Sequence, residues 1–453
     1  MTGKNGFLGQ KVYSFPRGGI SFEDSSVPSR DSCVTAFLPS LAVIPLIQHS
    51  GGRAYPVVTV GETVKEGMLI GRGLGPGSAN IHSTIPGRVI RMSPFRIAGD
   101  KVIDSIVIRM EGSFEKLGKQ EEIFPWNGML PYDIQRTISD FGIVEMEEKG
   151  RPVSEIISAL RAAPDPFTLV VRCVFDDPWL AGDYVLCKER AMAIAEGAAI
   201  TARTCRVSRI IYAVSHNEKE LGDLFAAIGE KWGIPVSTVL VGSRYPQRFR
   251  RELELVLKSF GKKEGIELGS MLILGPATLA AVYDAVKLRK PILERYITVG
   301  GSAVKNPQVM KVRIGKRIGD IFEECGGFSA RPKRIATGSP LLGRPVLDMD
   351  EPVTKTCFAL FALKEAYSQG GKELHGRCIS CGECRNVCPV GLDPEELYKK
   401  NLLLKKETND INRRRSEDKR FPLVCHGCGC CEVVCPSVLP LSSVIASFAG
   451  EGQ

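Results

Sequence analysis

Apolar and polar positions divide the chain into stretches of different period. Between residues 38 and 113 the apolar runs are short, at 57–60, 68–70, 87–91 and 102–108, with Gly61, Gly67, Gly71, Gly73, Gly75 and Gly77 between them. Short runs separated by turn residues predict the strands of a compact β unit. From about 126 to 300 the runs lengthen and become β-branched, at 167–174, 207–214, 235–241, 271–274 and 296–299. The segments between them carry helical spacing. Leu221, Leu224, Phe225 and Ile228 stand at i, i+3, i+4 and i+7, one face of a helix that Ser215 or Asn217 would cap. Such alternation predicts a sheet with parallel strands covered by helices, and these sheets bind ligands at the carboxyl ends of their strands. Residues 305–347 read as strand (309–314), helix (318–324) and glycine turns at Gly326, Gly327 and Gly343, a small β-grasp unit. An apolar helix is expected over 354–368. Asp393, Pro394 and Glu396 read as N-cap, N1 and N3 of a further helix.

The cysteines change this picture most. Cys378, Cys381, Cys384 and Cys388 are followed by Pro389, and Cys425, Cys428, Cys431 and Cys435 by Pro436, the same spacing written twice. Three thiolates at i, i+3 and i+6 followed by a Cys-Pro is the bacterial ferredoxin pattern, in which the fourth cysteine ligates the other of two [4Fe–4S] clusters. The expected ligand sets are therefore Cys378, Cys381, Cys384 with Cys435, and Cys425, Cys428, Cys431 with Cys388. A zinc site favours paired CxxC units, which this unequal spacing does not supply. Cys33, Cys173, Cys187, Cys205, Cys325, Cys357 and Cys430 remain, and read as small buried hydrophobes.

Composition adds limits. The chain has 453 residues, 43% hydrophobic and 25% charged, ordinary for a globular protein. No run approaches the ~18 apolar residues of a membrane span, and residues 1–20 lack the apolar core of a secretory signal. Fifteen cysteines in an intracellular protein argue against disulfides. The net charge is +9, and residues 399–420 hold nine basic against four acidic side chains. That stretch reads as a solvated linker or as a docking surface for an acidic protein or anionic lipid. No motif that reads nucleic acid accompanies it.

Two resemblances follow from the residues. The run from Pro56 through Gly61 to Gly67, with Ile85-Pro-Gly87-Arg-Val89, resembles the barrel-sandwich fold of lipoyl and biotinyl domains. No lysine sits on the hairpin that would bear a carrier arm, so this unit reads as structural. The whole chain resembles the RnfC family, a component of the Rnf-type ion-translocating electron-transport complexes. The match is carried by Gly18-Gly19-Ile20, Pro45-Leu-Ile-Gln-His49, Ala281-Val-Tyr-Asp-Ala-Val286, Pro291-Ile-Leu-Glu-Arg295, Val304-Lys-Asn-Pro307, Cys325-Gly-Gly-Phe328, Pro352-Val-Thr-Lys355 and the double cysteine motif. The resemblance implies an α/β multidomain chain. Residues 1–125 would hold a barrel-sandwich β unit and 126–300 an α/β domain like the NADH- and flavin-binding subunit of complex I. Residues 301–350 would form a soluble-ligand-binding β-grasp, and 351–453 a helical two-cluster ferredoxin-type domain. It also implies a peripheral subunit on the cytoplasmic face of the cell membrane, without a transmembrane segment of its own. Such a subunit would pass electrons from ferredoxin or flavodoxin towards the membrane subunits of the Rnf complex.

The chain departs from that family at the flavin. In place of a GIVGxGGAxFPT loop it reads Gly142-Ile-Val-Glu145-Met-Glu147-Glu148-Lys149-Gly150-Arg151-Pro152-Val153. A glycine loop lets backbone N–H groups close on a phosphate; a glutamate at ~4 Å costs about 4 kcal/mol at an effective dielectric of ~20. In place of NGAECEPY stands Arg172-Cys-Val-Phe175-Asp-Asp-Pro-Trp179, with Phe175 for the first glutamate and no neighbour replacing it. Arg248 and Phe249 follow Gln247 where glycines are usual. The expected FMN and NADH sites are therefore lost, and no catalytic residue is assigned. The alternatives are an NADH-oxidising FMN/iron–sulfur subunit of the same complex and, more distantly, a corrinoid reductase.

Overall fold

The computed structural model of the protein describes residues 11–22, 27–112, 123–147, 149–163, 166–339, 341–364, 377–406 and 425–448, with the backbone alone at 401–406 and 446–448. The first unit is a pair of small antiparallel sheets. One runs in the spatial order Leu41–Pro45, Lys101–Arg109, Gly87–Ile97, Thr63–Val64, the other Tyr55–Pro56, Leu69–Arg72, Ile81–His82. Ala42, Ile44, Ile70, Ile81, Val89, Ile106 and Ile108 alternate inward to form its core. The run at 57–60 is not a strand. Pairing ends at Tyr55–Pro56, and Thr59 instead donates its N–H to the Glu62 carboxylate (2.9 Å), closing a turn.

The α/β unit has four strands in the order Val236–Val241, Val207–Ser215, Phe167–Cys173, Ser270–Leu274, every pair parallel. Both faces are covered, so the strands are apolar throughout. Leu169, Val171 and Tyr212 face the helices Ala191–Thr204, Lys219–Gly229 and Pro276–Lys287. Val170, Ile211 and Val239 face Leu253, Val256 and Leu257 of the helix Arg250–Glu264. Leu221, Phe225 and Ile228 are buried as their spacing predicts, while Leu224 stays largely exposed. Neither Ser215 nor Asn217 caps that helix: a 3₁₀ turn intervenes, and the Ser215 hydroxyl accepts the Phe175 N–H at 2.7 Å.

Two expectations fail in the next layer, a six-stranded sheet ordered Val34–Thr35, Gln308–Arg313, Glu294–Gly300, Ala359–Leu363, Arg334–Thr337, Arg344–Pro345. The run at 296–299 does not extend the parallel sheet. It lies in Glu294–Gly300, antiparallel to Gln308–Arg313. The predicted helix over 354–368 is, within its described part, the strand Ala359–Leu363; residues 365–368 lie outside the described residues. Leu360 and Ala362 face the helix Ile318–Glu324, while Ala359, Phe361 and Leu363 face Trp179. A strand buried on both sides has no polar face to reveal its period of two, so an apolar run reads equally as helix. Burying Phe361 alone contributes roughly 2–3 kcal/mol.

Lys355 joins these units. Its buried ammonium donates to the Asn80 carbonyl (3.1 Å) and the Gly142 carbonyl (2.8 Å), and its N–H to Gln48 Oε1 (3.1 Å). Burial pushes its pKa down to about 7. Past residue 377 the chain folds around two four-residue helices, Glu383–Asn386 and Cys430–Val433, backed by Pro394–Lys406 and Leu441–Phe448. The Asp393 carboxylate accepts the Glu396 N–H at 3.1 Å, the predicted cap. No helix among the described residues is long and apolar enough to cross a membrane.

Candidate iron–sulfur centres and the adjoining cavity

The repeated cysteine spacing produces a repeated backbone. Gly382 and Gly429 both start their helices at φ 79°, and Val387 and Val434 end them at φ −88° and −86°. Cys378, Cys381, Cys384 and Cys435 line one hollow, which Leu439 and Leu441 close from below. Cys388 packs instead with Leu392, Leu397 and Cys425, and its sulfur accepts the Leu392 N–H at 3.2 Å. Each fourth cysteine thus lies with the other motif. Cys431 also touches Cys384 and Cys435, and stands between the groups. Among the described residues no three His, Cys, Asp or Glu side chains converge as ligands of one metal ion would. Thiolates spaced around a hollow suit a cluster, which is larger than a single ion.

The two groups differ in surroundings. In the first group Cys381 is exposed, Cys378 half-buried, and Cys384 and Cys435 buried; in the second Cys425 is half-buried and Cys388, Cys428 and Cys431 are buried. The second motif rests on the α/β unit. Tyr245 donates its hydroxyl to the Cys428 carbonyl at 2.8 Å. Phe249 lies 5.6 Å from the Tyr245 ring and 5.0 Å from the ring of His426, which pairs with Glu252 at 3.0 Å. The Cys430 thiol, fully buried beside Tyr245, donates to Cys428 and lowers its pKa to about 7, while Cys430 itself is pushed up. Of the other unassigned cysteines, Cys173, Cys187, Cys325 and Cys357 are buried as expected, and Cys33 and Cys205 only partly.

At the carboxyl ends of Phe167–Cys173 and Ser270–Leu274, where such sheets bind ligands, a cavity is bounded by Glu147, Arg172, Phe175, Asp183, Arg248 and Phe358. It offers about 20 Å³ to water centres, on a scale where one water needs about 10–15 Å³. Arg248 forms part of its wall. Its N–H donates to Asp176 Oδ2 (3.0 Å), its guanidinium stands 3.7 Å from Asp176 Oδ1, and its carbonyl accepts from Arg172 (3.3 Å). Burial raises Asp176 to about 7, against the pull of Arg248. It also raises Asp183 to about 6, against the pull of Arg295.

The three glutamates separate. Glu145 is buried in a short bridge, its N–H on the Arg151 carbonyl at 2.8 Å. Glu147 reaches the start of the helix Pro276–Lys287, where its carboxylate accepts the Thr278 N–H (3.0 Å) and the Thr278 hydroxyl. That is the position of an anion on a helix N-terminus. Glu148 lies outside the described residues. Phe175 is buried against Tyr184, with ring centres 5.3 Å apart. A carboxylate, that of Asp183, lines the same cavity from the helix Ala181–Glu189.

Residues 14–113 match the family described as RnfC Barrel sandwich hybrid domain, 296–345 the SLBB domain, and 368–440 the 4Fe-4S dicluster domain. Over 387 residues the chain is 32% identical to the C component of the ion-translocating oxidoreductase complex of Rhodobacter capsulatus, spanning 84% of this chain and 74% of that one. The chain belongs to the RnfC family. Another member, the C component of the proton-translocating ferredoxin:NAD(+) oxidoreductase complex of Clostridium ljungdahlii, is 28% identical over 84% of this chain and 83% of its own. The family resemblance drawn from the motifs is therefore correct. The chain thus carries a barrel-sandwich hybrid, an SLBB and a 4Fe-4S dicluster domain. Sequence reasoning missed Tyr245 and the Gly18–Gly19 segment as parts of the cluster surroundings. Tyr245 lies 183 positions from Cys428, and no local signal links them.

Proposed function

We propose that this RnfC-family chain relays electrons through two [4Fe–4S] clusters, as a peripheral subunit of a membrane-bound ion-translocating oxidoreductase. One cluster would be held by Cys378, Cys381, Cys384 and Cys435, the other by Cys388, Cys425, Cys428 and Cys431. The observation that carries this reading is the hollow lined by three cysteines of the first motif and the fourth of the second, the interleaving that two-cluster ferredoxin folds require. When bound, such clusters supply one-electron transfer. The chain's own work is to hold the thiolates, exclude water from the inner site and present the outer one. Its partners are the membrane subunits of the complex and an acidic soluble donor of ferredoxin or flavodoxin type, met on the cytoplasmic face.

The residues present do not fit FMN or NADH. Support comes from the small volume of the cavity, from the Arg248 side chain that lines it and stands beside Asp176, and from the Glu147 carboxylate on the helix N-terminus that would receive a phosphate. Anaerobic purification with iron, acid-labile sulfide and flavin assayed on one sample tests both halves. About eight irons per chain without flavin is expected. Stoichiometric FMN that bleaches with NADH would establish instead the NADH-oxidising reading.

A further inference from the structure

The motif Gly18-Gly19-Ile20 has no part in the chemistry above, yet it lies against the inner cluster's ligands. The segment leading to it is anchored on the edge of the parallel sheet: Tyr13 donates its N–H to the Leu240 carbonyl (2.9 Å) and accepts from Gly242 (2.8 Å). Phe15 follows, buried beneath Arg244, whose guanidinium is 4.3 Å from the ring centre. The chain then turns through two successive left-handed residues, Gly18 at φ +67° and Gly19 at φ +82°.

The two glycines face opposite ways. A Cβ on Gly18 would stand 2.7 Å from the carbonyl carbon and oxygen of Cys388. A Cβ on Gly19 would stand 2.6 Å from the Phe15 ring and from the Tyr245 carbonyl. Gly19 donates its N–H to the Val387 carbonyl at 2.8 Å, and Ile20 and Tyr245 exchange backbone hydrogen bonds at 3.0 and 2.8 Å. Tyr245, fully buried, completes the circuit with its hydroxyl on the Cys428 carbonyl. One closed series of contacts thus grips Cys388 from the first motif and Cys428 from the second.

We propose that Gly18, Gly19 and Tyr245 form a clamp that positions the inner cluster's ligands and sets its reduction potential, leaving the outer cluster untouched. The inference rests on the eight-cysteine reading given above. The glycines are positioning residues: only a residue without Cβ passes this close to Cys388 with a left-handed backbone. Tyr245 acts through its dipole. Its O–H points a partial positive charge at the ligand loop, which favours the reduced, more negative cluster, and its ring keeps water away. Hydrogen bonds and solvent exposure are among the factors that tune such potentials.

The test is a redox titration followed by electron paramagnetic resonance on the anaerobically purified full chain, with Cys381→Ala used to assign the outer cluster's signal. Tyr245→Phe, which keeps the ring, is expected to retain wild-type iron while the inner cluster's midpoint falls and the outer one's stays. Gly18→Ala is expected to alter or abolish the inner signal alone, with up to half of the iron lost. Gly52→Ala, where nothing lies within 4 Å of the added Cβ, should change neither. Wild-type signals and midpoints in both Tyr245→Phe and Gly18→Ala, or an equal shift of both clusters in Tyr245→Phe, would overturn the clamp. If Gly18→Ala does not fold, Tyr245→Phe decides alone. A wild-type protein without two clusters would overturn the proposed function instead, so the two failures are distinct.

Discussion

The two cysteine motifs are nearly the same loop in different surroundings. Both wrap three cysteines around a four-residue helix that a left-handed glycine starts, and their end residues agree within a few degrees. Yet the first motif presents Cys381 and the largely exposed Ile379 to solvent, while the second is more covered, with Cys428 and Cys431 buried, Cys425 half-buried, and Tyr245, Phe249 and the 18–20 strap packed on it. The local spacing of ligands makes the loop, and the rest of the molecule makes the two loops unequal. On the proposed reading, the outer centre is where a soluble partner approaches, and the inner one is screened from it.

The largest expected effect comes from the exchanged ligands. Cys388→Ala should abolish the inner cluster although Cys388 belongs to the first motif, and Cys435→Ala the outer one. Iron analysis with electron paramagnetic resonance checks this; a Cys388→Ala protein that loses only the outer signal would end the crossed assignment. Cys430→Ala should keep its iron, because Cys430 lies off the i, i+3, i+6 register of the second motif.

Accessibility should separate the loops next. A hydrophilic iron chelator or ferricyanide should consume the outer cluster at least about tenfold faster than the inner one, read by the loss of each resonance signal, since buried sites open only through local unfolding. Equal rates would mean that the sealed surroundings of the second motif do not persist in solution.

A smaller effect is expected in the basic stretch between the motifs. Its residues 407–424 lie outside the described residues, and Lys399 and Lys400 before them are paired with Glu395 and Glu396. Changing Arg413, Arg414 and Arg415 together to Gln should slow association with an acidic donor by a fewfold and flatten its salt dependence, as the Debye length of ~10 Å at 0.1 M shortens. Stopped-flow reduction at several ionic strengths checks it. An unchanged salt slope would leave this stretch as solvated linker.

The smallest lies away from both loops and serves as their control. Lys355 has its folded pKa depressed to about 7, well below the unfolded value. Between those values the unfolded chain binds the proton that the folded one lacks, so stability should rise with pH, by at most about 1.4 kcal/mol per unit. It should fall as pH drops towards 7. Lys355→Met should remove that slope in thermal melts while lowering stability overall, because the Asn80 and Gly142 carbonyls lose a donor. The two cluster signals should respond alike. A slope that survives in Lys355→Met would assign it to another group.

Ligand types and spacing were legible without any structure, because a cluster imposes its geometry on a few consecutive residues. Asp393 as a cap, the helix Ile318–Glu324, the parallel strands and the inward face of Leu221, Phe225 and Ile228 were legible for the same reason: each obeys a local period or a local hydrogen bond. What failed was non-local. The run at 296–299 is as apolar as its neighbours, and only its pairing with Gln308–Arg313 puts it in another sheet. Ala359–Leu363 hides its strand period by being buried on both faces. Glu145 and Glu147 are alike in sequence, but one is held in a short bridge to Arg151 and the other caps a helix that begins more than 120 residues later. The sequence alone therefore determined the family, the doubled cysteine spacing and most of the elements, since these rest on neighbours along the chain. Only the tertiary structure decided which cysteine loop is the more covered, which residues line the cavity at the sheet's carboxyl ends, and that Gly18, Gly19 and Tyr245 pack against Cys388 and Cys428. Those outcomes depend on contacts between residues far apart in sequence, which no local pattern encodes.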